Sequence, residues 1–282
     1  MDWIEAKPSE NIINRYILFC LFFLFEIKFP KDYLELIINI IKNSKIFIFE
    51  KDMINIEDNT FKYCKNLIKV VIPDSVTSIG HSAFWCCESL IEIIISNLVT
   101  EINDYAFYDC ISLKNVYIGL PNIQCNSLVS IGNGSFSICE SLTEFVIPDS
   151  VTSIGNSAFG RCGLTKIVIP NSVTNLGDRA FNSCENLIDI NISNSITKIR
   201  ECTFMYCENL TVVNIPNSVT SIGDYVFLQC VNLEEVIIPN SVTSIGVYSF
   251  FECESLKEVI IPSSVINIEK YVFSEHTKII KI

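Results

Sequence analysis

A unit of about 23 residues repeats along most of this chain and constrains its fold more than any other feature. A cysteine recurs in phase at Cys64, Cys87, Cys110, Cys139, Cys162, Cys184, Cys207, Cys230 and Cys253. All of the steps measure 22 or 23 residues except the one from Cys110 to Cys139, which measures 29. A phenylalanine stands three residues before each cysteine. Nine full repeats therefore span residues 53–262, and a fixed period of this length is the signature of a solenoid.

Each repeat predicts the same succession of local structures. The pattern Leu-x-x-Val-x-Ile, as in the copy that ends at Ile261, predicts a short strand with alternate residues facing inward, and the following proline ends it. Ser-Val-Thr-Ser-Ile predicts a second extended segment with Val242 and Ile245 inward, and Gly246 then allows a tight corner. The pattern Phe-x-x-Cys predicts a helical turn. One such unit cannot bury its apolar side alone, so the copies must stack.

These in-phase copies resemble the BspA-type leucine-rich repeat, which is named after bacterial surface proteins. The resemblance covers residues 53–262 and implies a right-handed curved arc of short parallel strands that form a concave sheet. Family members are surface-exposed proteins implicated in adhesion or protein–protein recognition. The resemblance therefore implies a non-enzymatic interaction or adhesion scaffold and a location at the cell surface.

The chain divides into an apolar N-terminal cap over residues 1–50 and a repeat domain over residues 51–282, which ends in partial repeats. We expect two helices in the cap, at about 12–27 and 31–43, because solenoids need their end coils covered. Two alternatives stay open for this region. The charge-free run Tyr16–Phe25 also suits membrane association. The segment Phe29–Leu34 faintly resembles the opening of an F-box, which would make the protein an intracellular adaptor whose N-terminal helices recruit a second partner.

The C-terminal end of the repeat domain predicts self-association. Ile279 and Ile282 are expected at the leucine and strand-valine positions of another repeat. A strand edge without a polar cover would then lie within residues 265–282 and could pair with another chain.

Composition argues against catalysis, metal binding and nucleic-acid binding. The net charge of −12 repels a phosphate backbone. The two histidines, His81 and His276, stand near opposite ends of the solenoid, and no Cys-x-x-Cys pair is present. We therefore expect no catalytic residues, metal or cofactor, and a protein partner instead.

The in-phase cysteines predict a ladder of reduced, buried thiols, and four cysteines fall off this ladder: Cys20, Cys86, Cys125 and Cys202. Unpaired thiols and the lack of a clear signal peptide favour an intracellular location. The family resemblance points to the cell surface, so the compartment stays open.

The outward face of the strands is the candidate partner-binding surface. The alternation of side chains along a strand turns one column of residues onto the concave face, and most of its members are apolar: Val71, Ile94, Tyr117, Val146, Val168, Asn191, Asn214, Ile237 and Ile260. Beside it runs a second column, whose acidic members are Glu92, Glu144, Asp189, Glu235 and Glu258. An apolar stripe rimmed by carboxylates predicts an interaction surface for a partner with basic patches. The alternative is that β-branched residues simply favour strands.

Overall fold

The structure is a computed structural model that describes residues 53–119 and 127–282. It also describes the backbone of residues 46–48. The described residues form a stack of coils, most of which contain a longer strand, a short strand and a turn, with one continuous apolar core inside the stack. They include no α-helix. The expected N-terminal cap and its two helices lie outside the described residues, as do Tyr16–Phe25, Phe29–Leu34 and Cys20.

One sheet, the long-strand sheet, is built from the Leu-x-x-Val-x-Ile segments. Its strands are β1 (Ile46–Ile48), β3 (Lys69–Val71), β5 (Glu92–Ile95), β7 (Asn115–Ile118), β10 (Lys166–Val168), β12 (Asp189–Asn191), β14 (Val212–Asn214), β16 (Glu235–Ile237), β18 (Glu258–Ile261) and β19 (Lys278–Lys281). All paired neighbours are parallel, in the runs β1-β3-β5-β7, β10-β12, β14-β16 and β18-β19. Most pairs join equivalent residues of adjacent repeats, as Val70 and Ile93 do. The repeat period in the sequence therefore becomes the spacing between strands.

A second, short-strand sheet confirms the predicted second extended segment of each repeat. Its strands are β2 (Asn55–Ile56), β4 (Ser78–Ile79), β6 (Glu101–Ile102), β8 (Ser130–Ile131), β9 (Ser153–Ile154), β11 (Asn175–Leu176), β13 (Lys198–Ile199), β15 (Ser221–Ile222) and β17 (Ser244–Ile245). The strands pair in parallel as a six-stranded and a three-stranded run. Val242 and Ile245 face inward and are buried, as their positions in the pattern predicted.

A column of stacked phenylalanine rings runs through the core. Ten phenylalanines, from Phe61 to Phe273, contact one another in succession with ring centroids 5.0–5.8 Å apart and planes within 17° of parallel. The stacking continues across the 29-residue step, where Phe107 and Phe136 are 5.2 Å apart. The additional residues of that step therefore leave the distance between stacked rings unchanged. Residues 120–126, which include Cys125, lie outside the described part of the chain.

The prediction of a helical turn at Phe-x-x-Cys was wrong. In a helix every amide bonds within its own segment, whereas here alternate amides bond to the next coil. The amides of Phe61 and Tyr63 donate to the carbonyls of Ala83 and Trp85, both at 2.7 Å, while the amide of Cys64 donates within the coil. Residues with left-handed backbone, such as Tyr63 at φ 62°, make this alternation possible. Because most of these residues are not glycine, the sequence carries no sign of the turn.

The cysteine ladder has a hydrogen-bonding role that the sequence pattern did not reveal. From Cys87 to Cys253, the Sγ of each in-phase thiol donates to the carbonyl of the phenylalanine in the preceding coil, at 3.0–3.3 Å. All eleven described cysteines are free thiols. Burial raises the pKa of Cys253 to about 12, and it holds the pKa of Cys207 well above its ordinary value. Both of these thiols are therefore protonated at neutral pH, and the ladder as a whole is packed in the core.

The glycine at the predicted corner is required by close approach rather than by its own conformation. Gly246 does not adopt a left-handed backbone. A Cβ atom built there would lie 2.5 Å from both the amide nitrogen of Asp224 and the carbonyl carbon of Gly223. The Asp224 Oδ1 also accepts a hydrogen bond of 2.9 Å from the Val247 amide. The absence of a side chain thus lets each coil sit against the one before it.

The predicted register of the C-terminal strand was wrong by three residues. In β19, Ile279 pairs with Val259, so it occupies the strand-valine position rather than the leucine position. The last turn is shorter than the others, because Phe273 precedes Ile279 by six residues whereas Phe250 precedes Val259 by nine. Thr277 is buried in this short turn and donates from Oγ1 to the Leu256 carbonyl at 2.9 Å.

Candidate interaction surface

The solvent-facing side of the long-strand sheet, called the strand face below, presents the apolar column that the sequence predicted. Alternation along each strand buries one residue and exposes the next, as in β10, where Ile167 is buried and Val168 is exposed. Val146 is the most exposed member, at 83%, and Tyr117 is 49% exposed. Val71 and Ile94 are only partly exposed. The others, Asn191, Asn214, Ile237 and Ile260, are exposed.

The acidic column beside it is largely neutralised by lysines on neighbouring strands. Ion pairs join Lys69 to Glu92 at 2.6 Å, Lys166 to Asp189 at 2.7 Å and Lys278 to Glu258 at 3.7 Å. In the described part of the chain, Glu144 and Glu235 make no ion pair. Exposed pairs of this kind contribute little to stability. They do reduce the negative potential of the rim, so the net charge of the chain overstates the acidity of this surface.

The strand face is interrupted at the coil that contains Val146, a feature that the sequence reasoning missed. Residues 143–147 form no strand, and among the described residues their amides make no backbone hydrogen bond to β7. Phe145 stands where other coils have valine or isoleucine, and its ring is 5.0 Å from that of Phe136 and 4.9 Å from that of Phe159. This larger side chain thus occupies an inward position that is aliphatic in the other coils, at the same coil that lacks the strand pairing. An aromatic residue in the inward column was the signal that could have found this feature.

A cavity of about 460 Å³ opens at the N-terminal end of the strand face. Its walls are the ends of β3 and β5 and the segments that follow them: Val71, Ile72, Pro73, Asp74, Ser75, Ile94, Ile95, Ser96, Asn97 and Gly119. Val71 and Ile94 belong to both the predicted column and the cavity. The remaining wall residues were missed, because the sequence pattern gives the repeat but not where two adjacent corners leave a gap.

Aromatic side chains form a separate cluster on the turns, away from the strand face. The Trp85 ring is 5.5 Å from that of Tyr105 and 4.6 Å from that of Tyr108, and His81 approaches Tyr105 edge-on at 5.6 Å. Lys62 Nζ lies 4.5 Å from the centre of the Trp85 ring. His81 thus packs against the ring of Tyr105. Throughout residues 53–119 and 127–282, no three acidic, histidine or cysteine side chains are grouped so that they could hold a metal ion.

Stacked parallel coils, a leucine-bearing strand in each and an open strand face define this molecule as a leucine-rich repeat solenoid. The family model described as BspA type Leucine rich repeat region matches in six copies over residues 38–128, 119–234 and 220–282. The chain belongs to the BspA-type leucine-rich repeat family.

Solved structures of bacterial leucine-rich repeat proteins are similar to this chain. One from Bacteroides ovatus shares 31% identity with a TM-score of 0.68, and the match covers 76% of this chain and 60% of that one. A leucine rich cell surface protein from Faecalibacterium prausnitzii shares 26% identity, with a TM-score of 0.46 and coverage of 85% and 88%. One from Eubacterium ventriosum shares 21% identity, with a TM-score of 0.54 and coverage of 84% of each chain. A search of curated proteins gave no match.

The part of the chain that the structure describes has no helix of the length and apolarity needed to cross a membrane.

Proposed function

We propose that this protein is a non-enzymatic scaffold that binds a protein partner on the strand face. The observation that carries the proposal is the apolar column, in which Tyr117, Val146, Val168, Ile237 and Ile260 are exposed. Contiguous exposed apolar surface with a polar rim is typical of protein interaction sites. Membership of the BspA-type family supports a role as an interaction scaffold.

Four parts of this function stay predictions. The alternative role as an intracellular adaptor depends on residues 1–45, which the structure does not describe, as does membrane association through Tyr16–Phe25. An adhesive role at the cell surface rests on the likeness to the family, and the ladder of free, buried thiols suits either compartment. Within the acidic column, a basic partner is supported by the two unpaired carboxylates of Glu144 and Glu235.

The double variant Ile94→Glu/Tyr117→Glu tests the strand face as the binding site. Binders are first selected from a displayed peptide library on the wild-type protein, without reference to any surface. We expect their affinity for the double variant to fall at least about 30-fold, because hot-spot side chains in an interface are each worth about 2 kcal/mol or more. Affinities are measured by biolayer interferometry.

Thr152→Glu/Thr243→Glu is the matched control, because these exposed threonines immediately precede strands β9 and β17 of the short-strand sheet. We expect it to bind the selected peptides as the wild type does. If most binders retain their affinity for the strand-face variant but lose it for the control variant, the partner site lies elsewhere on the solenoid.

We also propose that the protein self-associates through β19. In the described residues β19 pairs with β18 only, and Ile279, which stands at an inward position, is 42% exposed. An unpaired strand edge favours pairing with a second copy. We expect the molar mass from light scattering to rise with concentration, and Ile280→Pro in β19 to suppress the rise. A constant monomer mass for the wild type at high concentration would contradict self-association.

A further inference from the structure

We propose that the cavity at the N-terminal end of the strand face holds an arginine side chain of the partner. This inference rests on the proposed function, because it names the residue that anchors the partner to the strand face. The stem of the arginine lies along the apolar wall, and its guanidinium pairs with Asp74.

The cavity has the size and walls of a side-chain pocket. Its volume of about 460 Å³ lies within the range of protein ligand sites, roughly 300–1,000 Å³. Val71, Ile72, Pro73, Ile94 and Ile95 supply an apolar lining. Because Val71 and Ile94 belong to the apolar column, the cavity continues the partner surface rather than forming a separate site.

Polar groups converge at one end of this cavity. Asp74 is exposed, and its Oδ1 accepts a hydrogen bond of 3.1 Å from Ser96 Oγ. In the described residues its carboxylate has no cationic partner. Ser75 also lines the cavity, but its hydroxyl oxygen is buried and does not reach the open space; it has no hydrogen-bond partner in the described residues, as is true of Ser172 and Ser241 at the same repeat position. One carboxylate thus faces a mostly apolar space.

This combination favours arginine over other side chains. An anionic residue would be repelled by Asp74, and a purely apolar one would bury that carboxylate without compensation. Arginine and lysine both have an apolar stem and a charged head. The guanidinium is less strongly hydrated than an ammonium group and carries several donors in a fixed plane, so it can pair with the Asp74 carboxylate through two hydrogen bonds.

The proposal is tested by titrating the full chain with N-acetyl-arginine methylamide and following the methyl signals of Ile94 and Ile95 by NMR. The citrulline analogue, which has the same shape without the charge, and the lysine analogue are titrated in parallel. We expect saturable shifts with the arginine compound and at least tenfold weaker binding of the other two. Asp74→Asn, which keeps an acceptor for Ser96, should weaken arginine binding at least tenfold.

Asp149→Asn is the matched control, because Asp149 follows a proline in the same Pro-Asp-Ser-Val segment of another coil. We expect this variant to bind the arginine compound as the wild type does. Binding that is equal for citrulline, unchanged by Asp74→Asn or tighter for lysine would overturn the assignment of arginine.

The absence of binding to the wild type would also overturn the proposal. If binding then appeared when residues 120–126 are replaced by a glycine–serine linker, the cavity would be occupied by this chain's own segment. None of these results decides the proposed function, which is tested separately. That test measures the loss of affinity of library peptides for Ile94→Glu/Tyr117→Glu and does not use the arginine compound. Conversely, arginine binding without that loss would leave the cavity as a site unrelated to the partner surface.

Discussion

The free energy of unfolding is expected to fall steeply as the pH rises above about 9, the ordinary pKa of a cysteine thiol. Burial raises the pKa of six in-phase thiols, which are Cys87, Cys139, Cys184, Cys207, Cys230 and Cys253. Above pH 9 the unfolded chain releases these protons while the folded chain keeps them. The stabilisation is therefore complete below pH 9 and is lost toward the folded-state pKa, which is about 12 for Cys253.

Several thiols acting together make this effect large. Each contributes a loss of about 1.4 kcal/mol per pH unit between its unfolded and folded pKa values. For a domain with an unfolding free energy of about 5–15 kcal/mol, several such thiols acting together are enough to unfold the protein at strongly alkaline pH. The measurement is the free energy of urea unfolding, followed by circular dichroism, at a series of pH values from neutral to alkaline.

The double variant Cys207→Ala/Cys230→Ala separates the thiols from tyrosine and lysine, which titrate in the same range. The variant should be less stable at neutral pH, because it loses packing and two S–H donors. Its unfolding free energy should nevertheless fall less steeply with pH, by about 3 kcal/mol per pH unit, since two titrating groups are gone. Equal slopes for the variant and the wild type would mean that the thiols are not the source of the alkaline instability.

Phe159→Ala is expected to destabilise the protein by about 3–5 kcal/mol, the usual cost of removing a buried phenylalanine side chain. The ring is fully buried and stacks on Phe136 at 5.5 Å and on Phe181 at 5.4 Å. It also contacts Phe145 at 4.9 Å. The substitution removes contacts in both directions along the stack, and the rigid coils on either side cannot collapse into the space. Urea unfolding at neutral pH measures the loss.

Tyr117→Ala serves as the control for this experiment. It removes an aromatic ring of similar size, but one that is 49% exposed on the strand face. We expect a loss below about 1 kcal/mol, because exposed side chains contribute little to folding. A cost for Phe159→Ala no greater than that of the control would show that the phenylalanine column does not hold the coils together.

The repeat in the sequence predicted the stacked architecture because the same inward residues recur at one period. The Leu-x-x-Val-x-Ile pattern located the long strands, and Val242 and Ile245 identified the second extended segment correctly. The conformation of the turn could not be predicted, because residues with left-handed backbone have no sequence signature unless they are glycine, and Tyr63 and Ile138 are not. The register of β19 also failed, since the in-phase cysteine and leucine that mark the other turns are missing between Phe273 and Ile279.

The candidate site was predictable only in part. Alternation along the strands identified the outward column, including Val168 and Ile260, because side-chain direction follows directly from the period of a strand. The ion pair between Lys166 and Asp189 forms because their strands are neighbours in the sheet. The repeat implies that these strands are neighbours, but a count of charged residues does not show the pair. The cavity beside Asp74 depends on how two corners meet, and a linear pattern does not contain that information.

Because the contacts between successive coils are nearly identical, the number of coils can change while the fold is kept. A coil such as the one from Pro216 to Ile238 could be duplicated or deleted as a block, and the new neighbours would still meet with phenylalanine on phenylalanine and thiol on carbonyl. Recombination between similar repeats in the gene would thus yield shorter or longer proteins that still fold. The interruption at Phe145 breaks this interchangeability, so changes in length are best tolerated among the regular coils on either side of it.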